Sequence, residues 1–411
     1  MNADAPGEPD ERVFATWLAE RIGGYARREV PPDEPLSEWG LDSVGLLGLY
    51  GDIEERFGPL LEPADIWAHP TIRDLARFLA MREGMGRRPG QVRAAFVFTG
   101  QGSQHPRMTA ALYEHLSGYR HHLAEADAAI RPYLGMSVIE LILGGDPRVH
   151  QTALTQPALF AVEYALAMTL LQEEQVRPVA VLGHGIGEIA AAAVSGALTL
   201  EDAARLVCFR GMYMQYLPTG GGMMATCADP FEAAEASASE PGVSIGAFNA
   251  ARATVLSGEI EGLERVRDRL AAIGIASAFL QVTHAFHSPL MEPVTPRFEE
   301  AARHLAGAAP KVPYYSTVYG RRIEEPLDAA YWTAQITSPV RFVDAARQML
   351  AQQTPSHVVE IGPKAVLMPF LRRMAGSRGP ECLAVCRGPE TNAVDLAGVL
   401  SALNAGPLAL G

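Results

Sequence analysis

The 411-residue sequence is short of several things, and each shortage excludes something. It has no uninterrupted apolar run of the roughly 18 residues that a membrane span needs. Positive charge is scarce: 34 Lys and Arg stand against 47 Asp and Glu, a formal net charge of −13. A nucleic-acid binder needs a basic face against phosphate, so no nucleic-acid partner is expected, and no membrane. Cysteine is rare: Cys208, Cys227, Cys382 and Cys386 are all there are. A disulfide framework is not expected at this length, and Cys382-x-x-x-Cys386 is not a usual zinc spacing, so no metal is expected. The four read as reduced, buried thiols in a cytoplasmic protein. The acidic opening, Met1 to Asp10, lacks the basic and apolar regions of a signal peptide. No internal repeat is apparent. What remains is ordinary for a globular chain of two or three domains: 48% hydrophobic and 20% charged residues.

Residues 11 to 82 read as a small all-α unit after a flexible segment, 1–10. Val13 to Leu18 has helical apolar spacing, and Pro31-Pro32-Asp33-Glu34-Pro35 breaks the pattern. An apolar helix, Val44 to Tyr50, follows Gly40-Leu41-Asp42-Ser43, and Thr71 can N-cap a last helix through Leu79. Residues 83 to 93, rich in Gly, Pro and charge, read as a linker.

A second domain, 94–404, opens on a buried strand pattern, Ala94 to Phe98, and a glycine-rich turn, Thr99 to Gln104. That turn lacks the Gly-Lys-Ser/Thr ending of a phosphate loop. A long apolar helix, Ala158 to Leu171, is introduced by Thr155-Gln156-Pro157. Pro178 to Leu182 is a strand, Gly183-His184-Gly185-Ile186-Gly187-Glu188 a tight turn, and Ile189 to Val194 the start of a helix. A strand–turn–helix of this kind is the setting of a nucleophile elbow, but Gly185 sits where a serine would be. The alternative of a dinucleotide fingerprint fails because Glu188 takes the place of its last glycine. Thr199 can cap the next helix with Asp202 as partner. Residues 222 to 283 alternate as β-α-β-β-α-β, the ferredoxin-like split unit, inserted in a larger α/β domain. Strands Val312 to Ser316 and His357 to Ile361 return the chain to the main sheet.

Gly40-Leu41-Asp42-Ser43, an apolar helix and His69-Pro70-Thr71-Ile72 together resemble an acyl carrier protein. The resemblance implies a four-helix fold and a 4′-phosphopantetheine arm on Ser43. A helix start there would favour the phosphodiester. The second domain resembles malonyl-CoA:acyl-carrier-protein transacylases and polyketide synthase acyltransferases. The resemblance rests on Phe98 to Gln104, Thr155-Gln156-Pro157, Gly183 to Glu188, Arg210, His284-Ala285-Phe286-His287, Gln335 to Arg341 and Glu360 to Pro363. It implies an α/β-hydrolase-like core with a parallel sheet, and a ping-pong transfer of a malonyl-type group from coenzyme A to a carrier's phosphopantetheine thiol.

By that resemblance His287 is the general base, and the backbone carbonyl of Gln335 orients it. The backbone N–H groups of Gln101 and Ile186 form the oxyanion hole. Arg210 grips the substrate carboxylate, for which a guanidinium fork is suited. His284, Phe286 and Ile186 bear on specificity, and His284-Ala285-Phe286-His287 implies malonyl over methylmalonyl. Asn249 receives no role. No ketosynthase pattern is read, so the expectation is a discrete carrier–acyltransferase didomain of polyketide biosynthesis. Its partners would be malonyl-CoA or a related acyl-CoA, carrier domains in cis or trans, and polyketide synthase modules.

Gly185 departs from the family's serine. Either the serine has been replaced in an engineered inactive variant, or the glycine is natural. A natural glycine leaves three readings: direct transfer to a thiol, a silent carrier-docking scaffold, or an acyl hydrolase using water at the nucleophile position.

Overall fold

The computed structural model describes residues 11–26, 30–36, 49–53, 56–57, 61, 65–66, 69–86, 92–376 and 379–403. The chain divides into two compact units, Met1–Gln91 and Val92–Gly411.

In the first unit, helices α1 (Glu11–Ala26) and α2 (Ile72–Gly86) share a core. Phe14, Leu18 and Ile22 lie four apart on α1, and Ile72, Leu75, Ala76 and Leu79 line one face of α2. Thr71 caps α2 as expected, accepting from Asp74 N at 3.0 Å. Arg73 closes onto Asp33 through two hydrogen bonds, and Arg21 pairs with Asp52. Helix α2 runs to Gly86, into the stretch expected to be linker, because Met81 to Glu83 offers no breaker. Ser43 and the motif around it lie outside the described residues.

The second unit is built on a six-stranded sheet, in the order β10-β9-β1-β2-β7-β8. Its strands are β1 (Ala94–Phe98), β2 (Pro178–Gly183), β7 (Tyr314–Ser316), β8 (Arg321–Ile323), β9 (His357–Ile361) and β10 (Glu381–Ala384). All neighbours are parallel except β7 and β8. β1 is wholly buried, which is why it reads as an unbroken apolar run. The register sets Phe98 beside Gly183 on one side and Ile361 on the other. The turns after β1 and β2 therefore emerge together at the carboxyl edge of the sheet, where open α/β folds place their sites.

The insert is confirmed as a separate antiparallel sheet, in the order β4-β5-β3-β6. It comprises β3 (Gly221–Thr226), β4 (Val243–Ala250), β5 (Ala253–Glu259) and β6 (Ser277–Phe279), with helices Pro230–Ser237 and Ile260–Ala272. It has its own core around Met224, Leu256, Leu263 and Leu270. Edge strand β4 is tied to the main body by Phe248 N to Val340 O, 2.8 Å, and Val340 N to Gly246 O, 2.9 Å. Strands β8 and β10 were not expected. Against expectation too, one helical stretch, Thr152–Glu173, is long and apolar enough to cross a membrane. Its most apolar window is 83% buried inside the unit, so packing accounts for its composition. Cys227 is exposed, whereas the other three cysteines are buried; all four are free.

Candidate active site

The elbow is held by close backbone approach. A Cβ on Gly187 would meet Thr99 O at 2.2 Å, so no other residue fits between the two turns. His184 N donates to Phe98 O at 3.0 Å, fixing the elbow to the end of β1. Gly185 has φ of +55°, the left-handed region in which an L side chain is strained. A Cβ there would meet one atom within 4 Å, His287 Nε2 at 3.4 Å. A hydroxyl one bond further out would come within hydrogen-bond reach of that nitrogen.

His287 is 8% exposed and itself has φ of 58°. Its Nδ1 lies 3.0 Å from Ser338 O. A carbonyl only accepts, so Nδ1 carries the proton and Nε2 presents a bare lone pair toward Gly185. Burial first, then the charge of Arg210, then His184, push its pKa down to about 3. It is a neutral base at any ordinary pH. The near acceptor is thus Ser338 O, three residues beyond the expected Gln335, whose own carbonyl acts more weakly.

Gln335 takes a different part. Its side-chain Nε2 donates to Gly185 O at 2.7 Å, and its Oε1 accepts from Arg210 Nε at 2.9 Å. Arg210 Nη1 donates to Gln156 Oε1 at 2.9 Å. Arg210 is 4% exposed. Burial lowers its pKa to about 10, with nearby Glu188 opposing, so it stays a cation. Among the described residues its hydrogen bonds go to two neutral amides and not to a carboxylate. A buried guanidinium so placed is under-compensated and favours an anionic ligand.

Gln101 N and Ile186 N, the expected oxyanion donors, have no protein acceptor among the described residues. One follows β1 and the other opens the helix Gly187–Val194. Gln101 anchors its side chain on Thr152 Oγ1 at 3.2 Å.

His284 is nearly sealed, with Nε2 3.1 Å from Leu217 O and Nδ1 2.8 Å from Thr283 Oγ1. It braces the loop, and Phe286 packs into the core while its carbonyl accepts from Ser257 Oγ at 2.6 Å.

Sequence reasoning missed several supports. Gln156 was visible only as part of Thr155-Gln156-Pro157. Asn249 Oδ1 lies 2.8 Å from His184 Nε2 and so props the ring that follows β2. Glu188 is fully buried; its Oε1 accepts from Thr317 N at 2.5 Å and Tyr331 OH at 3.1 Å. Burial raises its pKa to about 7. Its signal was the Glu that closes the elbow motif. Ser338 acts through its carbonyl and was visible only as part of Gln335 to Arg341.

These features set a base, two open N–H donors and a buried cation around one glycine. Residues 95–394 match the acyl transferase domain family, and residues 16–79 the phosphopantetheine attachment site family. The chain belongs to the acyl transferase family. Its second unit is an acyltransferase domain and its first a phosphopantetheine-attachment domain. Polyketide synthase GfsB of Streptomyces halstedii is 39% identical over 298 residues, 72% of this chain and 5% of that protein. Pks15/1 of Mycobacterium marinum, a phenolphthiocerol synthesis polyketide synthase, is 38% identical over 275 residues, 66% of this chain and 13% of that protein. The chain thus spans a small part of the length of these relatives.

Among solved structures, a loading acyltransferase from the avermectin modular polyketide synthase superposes with a TM-score of 0.71 at 33% identity, covering 76% of this chain and 99% of that one. The malonyl-CoA:acyl carrier protein transacylase of Xanthomonas oryzae pv. oryzae gives 0.68 at 30% identity, covering 76% and 98%.

Proposed function

We propose that the acyltransferase unit binds a malonyl-type thioester and serves polyketide assembly, and that with Gly185 it forms no acyl-enzyme. The observation that carries this reading is the relay Arg210–Gln335–Gly185. It joins a carboxylate-seeking cation to the nucleophile position, with His287 Nε2 opposite. The free carboxylate of the acyl group would sit on Arg210. The thioester oxygen would face the N–H groups of Gln101 and Ile186, donors worth about 3–4 kcal/mol each in related chemistry.

With a serine at 185, His287 takes the hydroxyl proton, Oγ attacks the carbonyl, and the thiol leaves with that proton. A carrier thiol then repeats the exchange, completing ping-pong transfer. With glycine, the same base faces whatever nucleophile enters. A carrier thiol would give direct transfer. The open space before His287 Nε2 also favours a second reading, attack by water and release of free malonate. The carrier unit would receive the group on a 4′-phosphopantetheine arm at Ser43, in cis or on another copy. Phe286, beside His284, is read as favouring malonyl over methylmalonyl, because a phenyl ring near the α-carbon would leave no room for a methyl.

The test is covalent labelling with radiolabelled malonyl-CoA, on protein first treated with a phosphopantetheinyl transferase. The chain as it stands takes no stable label on residues 92–411. Gly185→Ser takes one malonyl group there, and Gly185→Ser with His287→Ala does not. Stable label on the acyltransferase unit of the unaltered chain overturns the proposal. Carrier loading lost in Ser43→Ala and His287→Ala identifies direct transfer; free malonate identifies hydrolysis; neither product leaves a carrier-docking role. Methylmalonyl-CoA loading as fast as malonyl-CoA in Gly185→Ser removes the specificity reading.

A further inference from the structure

Below the oxyanion loop lies a buried polar chain that the proposed chemistry does not use. It begins at Glu163, in the middle of the apolar helix Thr152–Met168, with no exposed surface. Three oxygen–oxygen contacts run in series from it. Glu163 Oε1 is 2.5 Å from Thr99 Oγ1, Thr99 Oγ1 is 3.0 Å from Ser103 Oγ, and Ser103 Oγ is 2.9 Å from Gly100 O. The other carboxyl oxygen, Glu163 Oε2, is buried with no partner among the described residues.

Counting protons along the chain decides the state of the acid. Gly100 O only accepts; Ser103 Oγ donates its one hydroxyl proton to it at 2.9 Å, beside a longer donation from Ser103 N at 3.4 Å. The contact between Ser103 and Thr99 then needs the proton of Thr99. With the Thr99 proton used there, the contact at Glu163 takes its proton from the carboxyl, the reverse of the donation that an ionised Glu163 would accept from Thr99. An ionised Glu163 would leave one of the three contacts without a proton, and a lone anionic oxygen buried without a donor.

A neighbouring acid shows the opposite arrangement. Glu360, on β9, accepts from the backbone N–H groups of Val366, Leu367 and Met368 at 2.7, 2.8 and 3.0 Å. It has the donors a carboxylate needs, and its charge disfavours a second one at Glu163. Burial above all holds the Glu163 carboxyl well above the usual carboxylate range; the Thr99 contact opposes it and the charge of Glu360 adds to it.

The chain ends on one particular peptide. Gly100 C=O and Gln101 N–H belong to the same planar unit. Fixing the carbonyl fixes the direction of the N–H, and a donor to the carbonyl strengthens that N–H in turn.

We infer that Glu163, as an un-ionised acid, is a positioning residue: through Thr99 and Ser103 it aims the Gly100–Gln101 peptide at the acyl oxygen. The inference rests on the reading of Gln101 N as an oxyanion donor, but the protonation of Glu163 is testable without it.

Infrared difference spectroscopy of the full chain against Glu163→Gln at neutral pH tests that protonation. The expected spectrum shows loss of an un-ionised carboxylic acid band. Loss of carboxylate bands instead overturns the inference. The second arm uses Gly185→Ser and single-turnover transfer from malonyl-CoA. Adding Ser103→Ala, which removes the last link and little volume, lowers kcat about tenfold or more with KM unchanged. Adding Glu163→Leu does the same, and Glu163→Gln, whose amide N–H replaces the acid proton, recovers most of the rate. An unchanged kcat in Ser103→Ala, or Glu163→Gln as slow as Glu163→Leu, overturns the positioning role. If Gly185→Ser itself transfers nothing, the functional reading has failed, and the infrared arm still decides the state of Glu163.

Discussion

On the proposed reading Arg210 sets the choice of acyl group, because burial leaves it a charge and two neutral amides to hold. In the Gly185→Ser background, Arg210→Ala should lower kcat/KM for malonyl-CoA by about 100-fold, the scale of a lost charge-assisted pair. Acetyl-CoA, lacking the carboxylate, should lose far less; parallel loading with the two thioesters checks this. His287 yields a second expectation. Its pKa, pushed down to about 3, keeps the base form present as pH falls through the ordinary histidine value near 6.5. The kcat/KM of Gly185→Ser should therefore hold from neutrality down to about pH 5. A loss of rate centred near 6.5 would refute the assignment. Residues such as these were legible because each sits in a motif with a side chain suited to its task. Ser338 was not, since a backbone carbonyl carries no residue-type signature. Glu163 was not either: Ala158–Leu171 was read only as an apolar helix, and a single Glu inside it carries no motif of its own.

Two helices bring the cation to the elbow, and their contact depends on Gly211. A Cβ there would meet Thr152 O at 2.9 Å and Ala153 Cα at 3.2 Å, both backbone atoms that cannot turn aside. Gly211→Val should force Leu200–Gln215 away from Thr152–Met168. A cost of about 1–3 kcal/mol is expected, from overpacking. Because Arg210 is the adjacent residue, its bond to Gln156 should loosen as well. A lower denaturant midpoint together with a raised malonyl-CoA KM in the Gly185→Ser background checks both. Legibility at this scale followed burial. β1 is apolar throughout, and β9 is buried from Val358 to Ile361 although it carries Glu360; both were read with their observed bounds. β8 is three residues at an edge, Arg321-Arg322-Ile323, with charge facing out, and β10 pairs on one side through Glu381–Ala384. Neither has the alternation or length that marks a strand. The cap at Thr199 formed as read, with Thr199 Oγ1 accepting from Asp202 N. Asp202 instead turned outward to accept from Ala306 N, 104 residues away, a partner no local pattern contains.

Among the described residues of the whole molecule, the carrier core and the acyltransferase cores share no residue. Residues 92–411 made alone should therefore keep their own cooperative unfolding transition. The pH dependence of that transition follows from groups inside the site, and they pull in opposite directions. Glu188 has its folded pKa raised to about 7 by burial. The unfolded chain releases this proton near 4.5 while the folded chain keeps it, so the stability Glu188 contributes is present below 4.5 and lost as pH rises to about 7. His287 has its folded pKa lowered to about 3. The unfolded chain takes up this proton near 6.5 while the folded chain refuses it, so stability is lost as pH falls from 6.5 toward 3. The windows overlap, and variants separate them. The stability difference between the parent and Glu188→Gln should shrink as pH climbs from about 4.5 to about 7. The difference between the parent and His287→Gln should shrink as pH drops below about 6.5. Denaturant titrations of residues 92–411 at several pH values measure both. Parallel, pH-independent offsets would mean that neither group is buried in the charge state assigned to it, and the site's neutral base would have to be abandoned with them.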